Sequence, residues 1–283
     1  MKGLNIIMKN FVNYKWLMKN LNNSNLVILD ARANQNNHLD GLIAYNKEHI
    51  RYASFVSLED IMTGSKSTHG GRRPLPEINK FVEDMKSLGI TEKSSVIIYD
   101  DGNLSTSGRL WWLLRYIGKY NVYILEGGIA NWKVNNGEIT DEIPKVVKSE
   151  YLPFKINNSM LVDMKYVKNA INLDNTAIVD ARTYERYIGK IDPLDRIAGH
   201  IPNALSYPSS DLVKNGKLVS LSKIKNYFKE LKKYDEIIAY CGSGIAATLN
   251  IILMEEIGLK SKLYLGGYSD WISYRENKVI KSP

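Results

Sequence analysis

The chain repeats itself. "LVILDAR" at Leu26–Arg32 returns as "AIVDAR" at Ala177–Arg182, and "EHIRYAS" at Glu48–Ser54 returns as "GHIPNAL" at Gly199–Leu205. "SVIIYDDGNLSTSGRLWWLLRYIG" at Ser95–Gly118 is answered by "EIIAYCGSGIAATLNIILMEEIG" at Glu236–Gly258. "YILEGGIANW" at Tyr123–Trp132 is answered by "LYLGGYSDW" at Leu263–Trp271. Blocks that recur in one order imply a single plan used twice, so a fold that suits one half must suit the other. At 283 residues, each half is long enough to bury its own core.

Within each half, short apolar runs alternate with helical patterns. In the second half, Thr176–Val179 and Glu236–Tyr240 read as buried strands. Residues 222–231 read as an amphipathic helix with Ile224, Tyr227, Phe228 and Leu231 on one face. Residues 246–257 read as another helix, stopped by Gly258. Strands alternating with helices give an α/β fold: two tandem domains, each a parallel sheet flanked by helices on both faces. "DEIPKVVKSEYLPFK" at Asp141–Lys155 matches neither repeat, and its prolines and charges suit a linker. The expected domains are therefore residues 8–143 and 156–283.

In such sheets the active site lies beyond the carboxyl ends of the strands. Cys241, the only cysteine, immediately follows the strand at Glu236–Tyr240 and precedes a glycine-rich turn and a helix. The thiolate is the reactive form of cysteine. A helix N-terminus favours an anion, and the glycines of Gly242-Ser243-Gly244 let successive N–H groups turn inward. The Ser243 hydroxyl is a further donor. A lone cysteine is commonly a small buried hydrophobe, but this strand–Cys–turn–helix context points to a nucleophile.

Taken with "DARTYERYIGKIDPLDRIAGHIPNA" and "GGYSDW", the stretch "YCGSGIAA" resembles the tandem-domain rhodanese sulfurtransferases. In the first half, "LDARAN", "EHIRYAS", "GGRRPLP" and "EGGIANW" are similar to the inactive N-terminal domain of that family. The resemblance implies that Cys241 takes a sulfane sulfur from a small anionic donor, thiosulfate or 3-mercaptopyruvate, and passes it as a persulfide to a thiol or cyanide acceptor. It implies no cofactor and no metal. The backbone N–H groups of Gly242, Ser243, Gly244, Ile245, Ala246 and Ala247 would cradle the persulfide, as an oxyanion hole cradles oxygen. Arg186 matches the family's donor-binding arginine, with Arg196 and Arg73 as further anion-binding candidates. Arg182 reads as a structural anchor paired with Asp180 or Glu185. Asp100 stands where Cys241 stands in the other half, and a carboxylate cannot carry sulfur. The N-terminal domain is therefore expected to be silent.

Donor choice stays open at this level. The Cys-Gly-Ser-Gly turn resembles the mercaptopyruvate-preferring group, whereas the short "ERYIGKIDPLDRIAGHIP" is similar to bacterial thiosulfate enzymes. Ile245-Ala246-Ala247 stands where the family usually has Val-Thr-Ala. Many relatives carry a histidine before "PLP"; here Arg73 holds that place and His69 lies just upstream. His49 and His200 hold matching repeat positions, which suits a structural role.

Other classes fit less well. A Cys-based phosphatase needs an arginine where Ala247 stands, to grip phosphate. A non-catalytic rhodanese-like binding module commonly lacks the cysteine. No cysteine-protease signature is present. Net charge is +8, but the basic residues are scattered without a nucleic-acid motif, so no nucleic-acid partner is expected. No run approaches a membrane span, and the apolar run from Leu4 to Met8 is too short for a signal peptide. A cytoplasmic protein is expected, starting at Met1 or Met8.

Overall fold

The computed structural model describes residues 8–34, 37, 39–214 and 216–282. Most of the apolar run from Leu4 to Met8 lies outside them. Each half builds a five-stranded parallel sheet. Across the first, the strands run Phe11–Val12, Val122–Leu125, Ser95–Tyr99, Leu26–Asp30 and Ala53–Phe55. Across the second they run Leu161–Val162, Lys262–Tyr264, Glu236–Tyr240, Thr176–Asp180 and Leu205–Ser206, the same order of equivalent segments. Helices pack on both faces of each sheet, which is why the central strands read as unbroken apolar runs: Val96–Tyr99 and Ile237–Tyr240 are all buried.

The two halves share one continuous apolar core. The helices Ser105–Tyr116 and Ala246–Glu256 lie against each other at the domain boundary, and both are buried almost all round. A helix apolar on every side has no solvent face to offer. Gly108 makes the close approach possible, since a Cβ there would lie 2.8 Å from Thr248 Oγ1. The segment joining the domains is pinned at its far end, where the Ser149 hydroxyl donates to the Ile90 carbonyl and Lys155 N–H to that of Ile117.

One expected helix is divided. The helix Leu221–Tyr227 stops at Phe228, and Lys229–Lys233 continues as a 3₁₀ turn. Ile224, Phe228 and Leu231 are nevertheless all fully buried. Tightening the chain after Phe228 keeps Leu231 over it, through a bond from Leu231 N–H to the Phe228 carbonyl.

Candidate active site

Cys241 leaves the central strand Glu236–Tyr240, which pairs along its whole length with Thr176–Asp180. It is 3% exposed. The chain then doubles back: Gly244 takes φ +68, and Ile245 N–H points at Cys241 Sγ from 3.2 Å. The following segment clamps the loop from the other side. Tyr268 N–H donates to the Cys241 carbonyl at 2.7 Å and Ser269 N–H to the Gly242 carbonyl at 3.0 Å. Gly267, at φ +62, must be glycine, because a Cβ there would fall 2.4 Å from the Cys241 carbonyl oxygen. The second glycine of the repeated Gly-Gly pair is thus a contact with the nucleophile's own peptide.

Two guanidiniums meet at the mouth of this loop. A Cβ on Gly242 would lie 2.7 Å from Arg72 Nη2 and 3.3 Å from Arg186 Nη2. Arg186 pairs with Asp192 at 3.0 Å and with Asp195 at 2.8 Å, and Arg72 reaches from the N-terminal half to pair with Asp195 as well. Burial raises the Asp195 pKa, and Arg72 and Arg186 work against that rise. Arg182 sits beneath, bound to Asp180 at 2.7 Å, to Asp192 at 3.2 Å and to the Gly199 carbonyl at 2.6 Å. Its guanidinium stacks 3.8 Å from the Tyr268 ring centre. Burial pulls its pKa down, but the Asp180 carboxylate more than reverses this and leaves it raised. Arg182 is therefore a structural cation that fixes Asp192, and Asp192 in turn aims Arg186.

The other named candidates lie elsewhere. Arg73 turns back into its own half and pairs with Glu59 at 2.8 Å. Arg196 is exposed and donates to the Ile272 carbonyl at 3.0 Å. His69 does cross to the C-terminal half, but there it meets Ser273 and stacks on Tyr274. His49 and His200 are twins: each stacks 4.0 Å from a tyrosine, Tyr45 or Tyr187, and bonds through Nδ1 to that tyrosine's carbonyl.

The equivalent loop of the first half is already filled. The Asp100 carboxylate accepts from the N–H groups of Gly102 at 2.8 Å, Leu104 at 3.2 Å and Ser107 at 3.2 Å, and from the Ser107 hydroxyl at 2.8 Å. Leu104 donates back to Asp100 as Ile245 donates back to Cys241. The same turn thus directs backbone N–H groups at a carboxylate in one domain and at a sulfur in the other.

Two arginines went unremarked in the sequence reading. Arg72 was overshadowed by its neighbour Arg73. Its signal was "GGRR", since Gly70 and Gly71 adopt φ +96 and +81 and set the direction of the chain that follows. Arg109 is fully buried in the interface helix. Its signal was a charge inside "SGRLWWLL", where a helix is otherwise apolar.

The fold is thus built twice, with a buried cysteine in the loop of one copy and a carboxylate in the same loop of the other. The rhodanese-like domain family matches residues 13–135 and again 163–274, and the chain belongs to that family. It is an enzyme, a sulfurtransferase working through a persulfide on its single cysteine. It is 31% identical over 270 residues to the 3-mercaptopyruvate sulfurtransferase of Escherichia coli K12, covering 92% of this chain and 94% of that one. It is 32% identical over 244 residues to a Mycobacterium tuberculosis chain provisionally named thiosulfate sulfurtransferase SseB, covering 83% and 84%. The crystal structure of SseA from Escherichia coli, described as a 3-mercaptopyruvate sulfotransferase, superposes with a TM-score of 0.80 at 30% identity, over 92% of this chain and 99% of that one. Among the described residues, no helix is long and apolar enough to cross a membrane.

Proposed function

We propose that Cys241 takes its sulfur from 3-mercaptopyruvate in preference to thiosulfate, with Arg72 and Arg186 holding the donor carboxylate over Gly242. The names of the relatives divide between the two donors, so the reading rests on charge. Three cations, Arg72, Arg182 and Arg186, face three carboxylates, Asp180, Asp192 and Asp195. The cluster is neutral overall, and the Gly-Ser-Gly turn adds no cationic side chain. Such a site suits a monoanion gripped by guanidinium edges. A dianion would need an excess of positive charge that this cluster does not hold.

The chemistry follows from the placement. The Cys241 thiolate attacks the donor's thiol sulfur, the C3–S bond breaks, and its electron pair leaves as the enolate of pyruvate. The thiol proton ends on C3, giving pyruvate and an enzyme persulfide anion. The Ile245 N–H and the helix start are positioned to stabilise that anion. A thiol acceptor then attacks the outer sulfur and leaves with it, restoring the Cys241 thiolate. On this reading the N-terminal domain, residues 8–143, is catalytically silent but supplies Arg72, and residues 156–283 carry the nucleophile. A single cysteine kept as a reactive thiol suits the reducing cytoplasm. Steady-state kinetics with both donors tests the reading: kcat/KM at least tenfold higher for 3-mercaptopyruvate is expected, and a preference for thiosulfate refutes it.

A further inference from the structure

The N-terminal half contributes a second arginine to the Cys241 loop, from behind it. Arg109 is wholly buried, and among the described residues it pairs with no carboxylate. Its Nη1 donates to the Gly244 carbonyl at 3.1 Å, and its Nη2 to the carbonyls of Met62 at 3.1 Å, Arg73 at 3.3 Å and Pro74 at 3.4 Å. Among the described residues its Nε has no hydrogen-bond partner. A buried guanidinium satisfied only by carbonyls leaves its charge without a counter-ion, which is costly unless an anion lies within reach.

The Gly244 carbonyl is one end of a peptide unit whose other end is the Ile245 N–H. In a trans peptide the two point in opposite directions. Arg109 grips the oxygen, and the N–H is thereby aimed at Cys241 Sγ, 3.2 Å away. A cation on the carbonyl also polarises the amide and strengthens its N–H as a donor. Gly244 admits this contact because it has no side chain: a Cβ there would fall 3.0 Å from Arg109 Nη1.

We propose that Arg109 is a positioning residue for sulfur transfer: it locks the Gly244–Ile245 peptide against Cys241 and serves as the buried counter-charge of the thiolate and persulfide. This rests on Cys241 being the nucleophile, but not on which donor is used. The retained N-terminal domain thereby acquires a catalytic purpose beyond covering the site. Burial pushes the Arg109 pKa down to about 9, with Cys241 opposing the fall and Arg73 adding to it, so the guanidinium stays charged at neutral pH. The charged and titratable groups around the loop are Arg109 from the interface helix, Arg72 and Arg73 from the covering segment, Arg186, Asp192 and Asp195 from the segment after Thr176–Asp180, and Tyr268 from the clamp.

The test compares Arg109→Lys and Arg109→Gln with the intact wild-type enzyme. The pH dependence of Cys241 alkylation by iodoacetamide reads the thiolate without using any donor. Arg109→Gln is expected to slow alkylation at neutral pH roughly tenfold, because the thiolate loses its buried counter-charge. It should lower kcat and leave the donor KM unchanged, because Arg72 and Arg186 remain. Arg109→Lys, keeping the charge, should restore most of the thiol pH profile while kcat stays depressed. A folded Arg109→Gln with the wild-type alkylation profile overturns the proposal, whatever its activity. If neither variant folds, the guanidinium nitrogens of Arg109 in the wild-type enzyme decide by 15N NMR: a shift when alkylation removes the Cys241 thiolate supports the proposal, and no shift overturns it.

Discussion

A methyl group at Gly242 separates donor binding from thiol chemistry. Gly242 lies outside the left-handed region, so alanine adds no backbone strain. Its Cβ would intrude 2.7 Å from Arg72 Nη2 and 3.3 Å from Arg186 Nη2, the far ends of flexible side chains that can swing aside. The fold should survive, while the two guanidiniums lose their convergence. A hydrogen bond to a charged group is worth about 1.5–3 kcal/mol. Losing one such grip on the donor carboxylate should therefore cost roughly 10- to 150-fold in kcat/KM, since each 1.4 kcal/mol is about tenfold. The loss should appear mainly in KM, and alkylation of Cys241 by iodoacetamide should be unchanged. Gly244→Ala is the contrast. There φ is +68 and the Cβ would lie 2.4 Å from the Leu265 backbone carbonyl, so it should lower the melting temperature as well. A well-folded Gly242→Ala enzyme with wild-type kcat/KM would mean that the donor does not bind between Arg72 and Arg186.

Arg182→Ala should destabilise the protein by about 3–5 kcal/mol, because it strands the buried Asp180. Arg186→Ala leaves the buried Asp192 and Asp195 one guanidinium each, Arg182 and Arg72, so it should lower the denaturation midpoint less than Arg182→Ala while raising the donor KM, and urea melts with kinetics on the two variants separate anchor from ligand. Asp100→Ala should cost about 3 kcal/mol or more, since buried N–H groups at Gly102, Leu104 and Ser107 lose their acceptor together. Its kcat should be unaffected if the first domain is silent. Burial lowers the His200 pKa in the folded protein below the value of about 6.5 expected when unfolded. The unfolded state then binds the extra proton first. The stability His200 contributes is thus present above that unfolded pKa and is lost as pH falls through the folded one. Melting curves between about pH 7.5 and 5 should fall less steeply for His200→Asn than for the wild type.

Strand placement was legible because burial on both faces writes an unbroken apolar run, as at Ile237–Tyr240. The repeat carried the topology, since the two sheets share one strand order. That Arg182 anchors structure through a nearby carboxylate was legible from "DAR"; of the two candidates, Asp180 and Glu185, the structure uses Asp180. The partners at the mouth of the site were not. Which of Arg72 and Arg73 faces Gly242 depends on a loop whose neighbours point opposite ways, one toward Asp195 and one toward Glu59. Arg109 stayed hidden because its acceptors, Met62, Arg73, Pro74 and Gly244, are backbone carbonyls from distant segments, and carbonyls leave no trace in a residue pattern.

The most direct test of the central claim is intact mass spectrometry of the enzyme after exposure to 3-mercaptopyruvate without acceptor. The account predicts the mass of one added sulfur on the wild-type chain, none on Cys241→Ser, and loss of that mass when a thiol is supplied. An unloaded wild-type enzyme, or the same gain in Cys241→Ser, would contradict it.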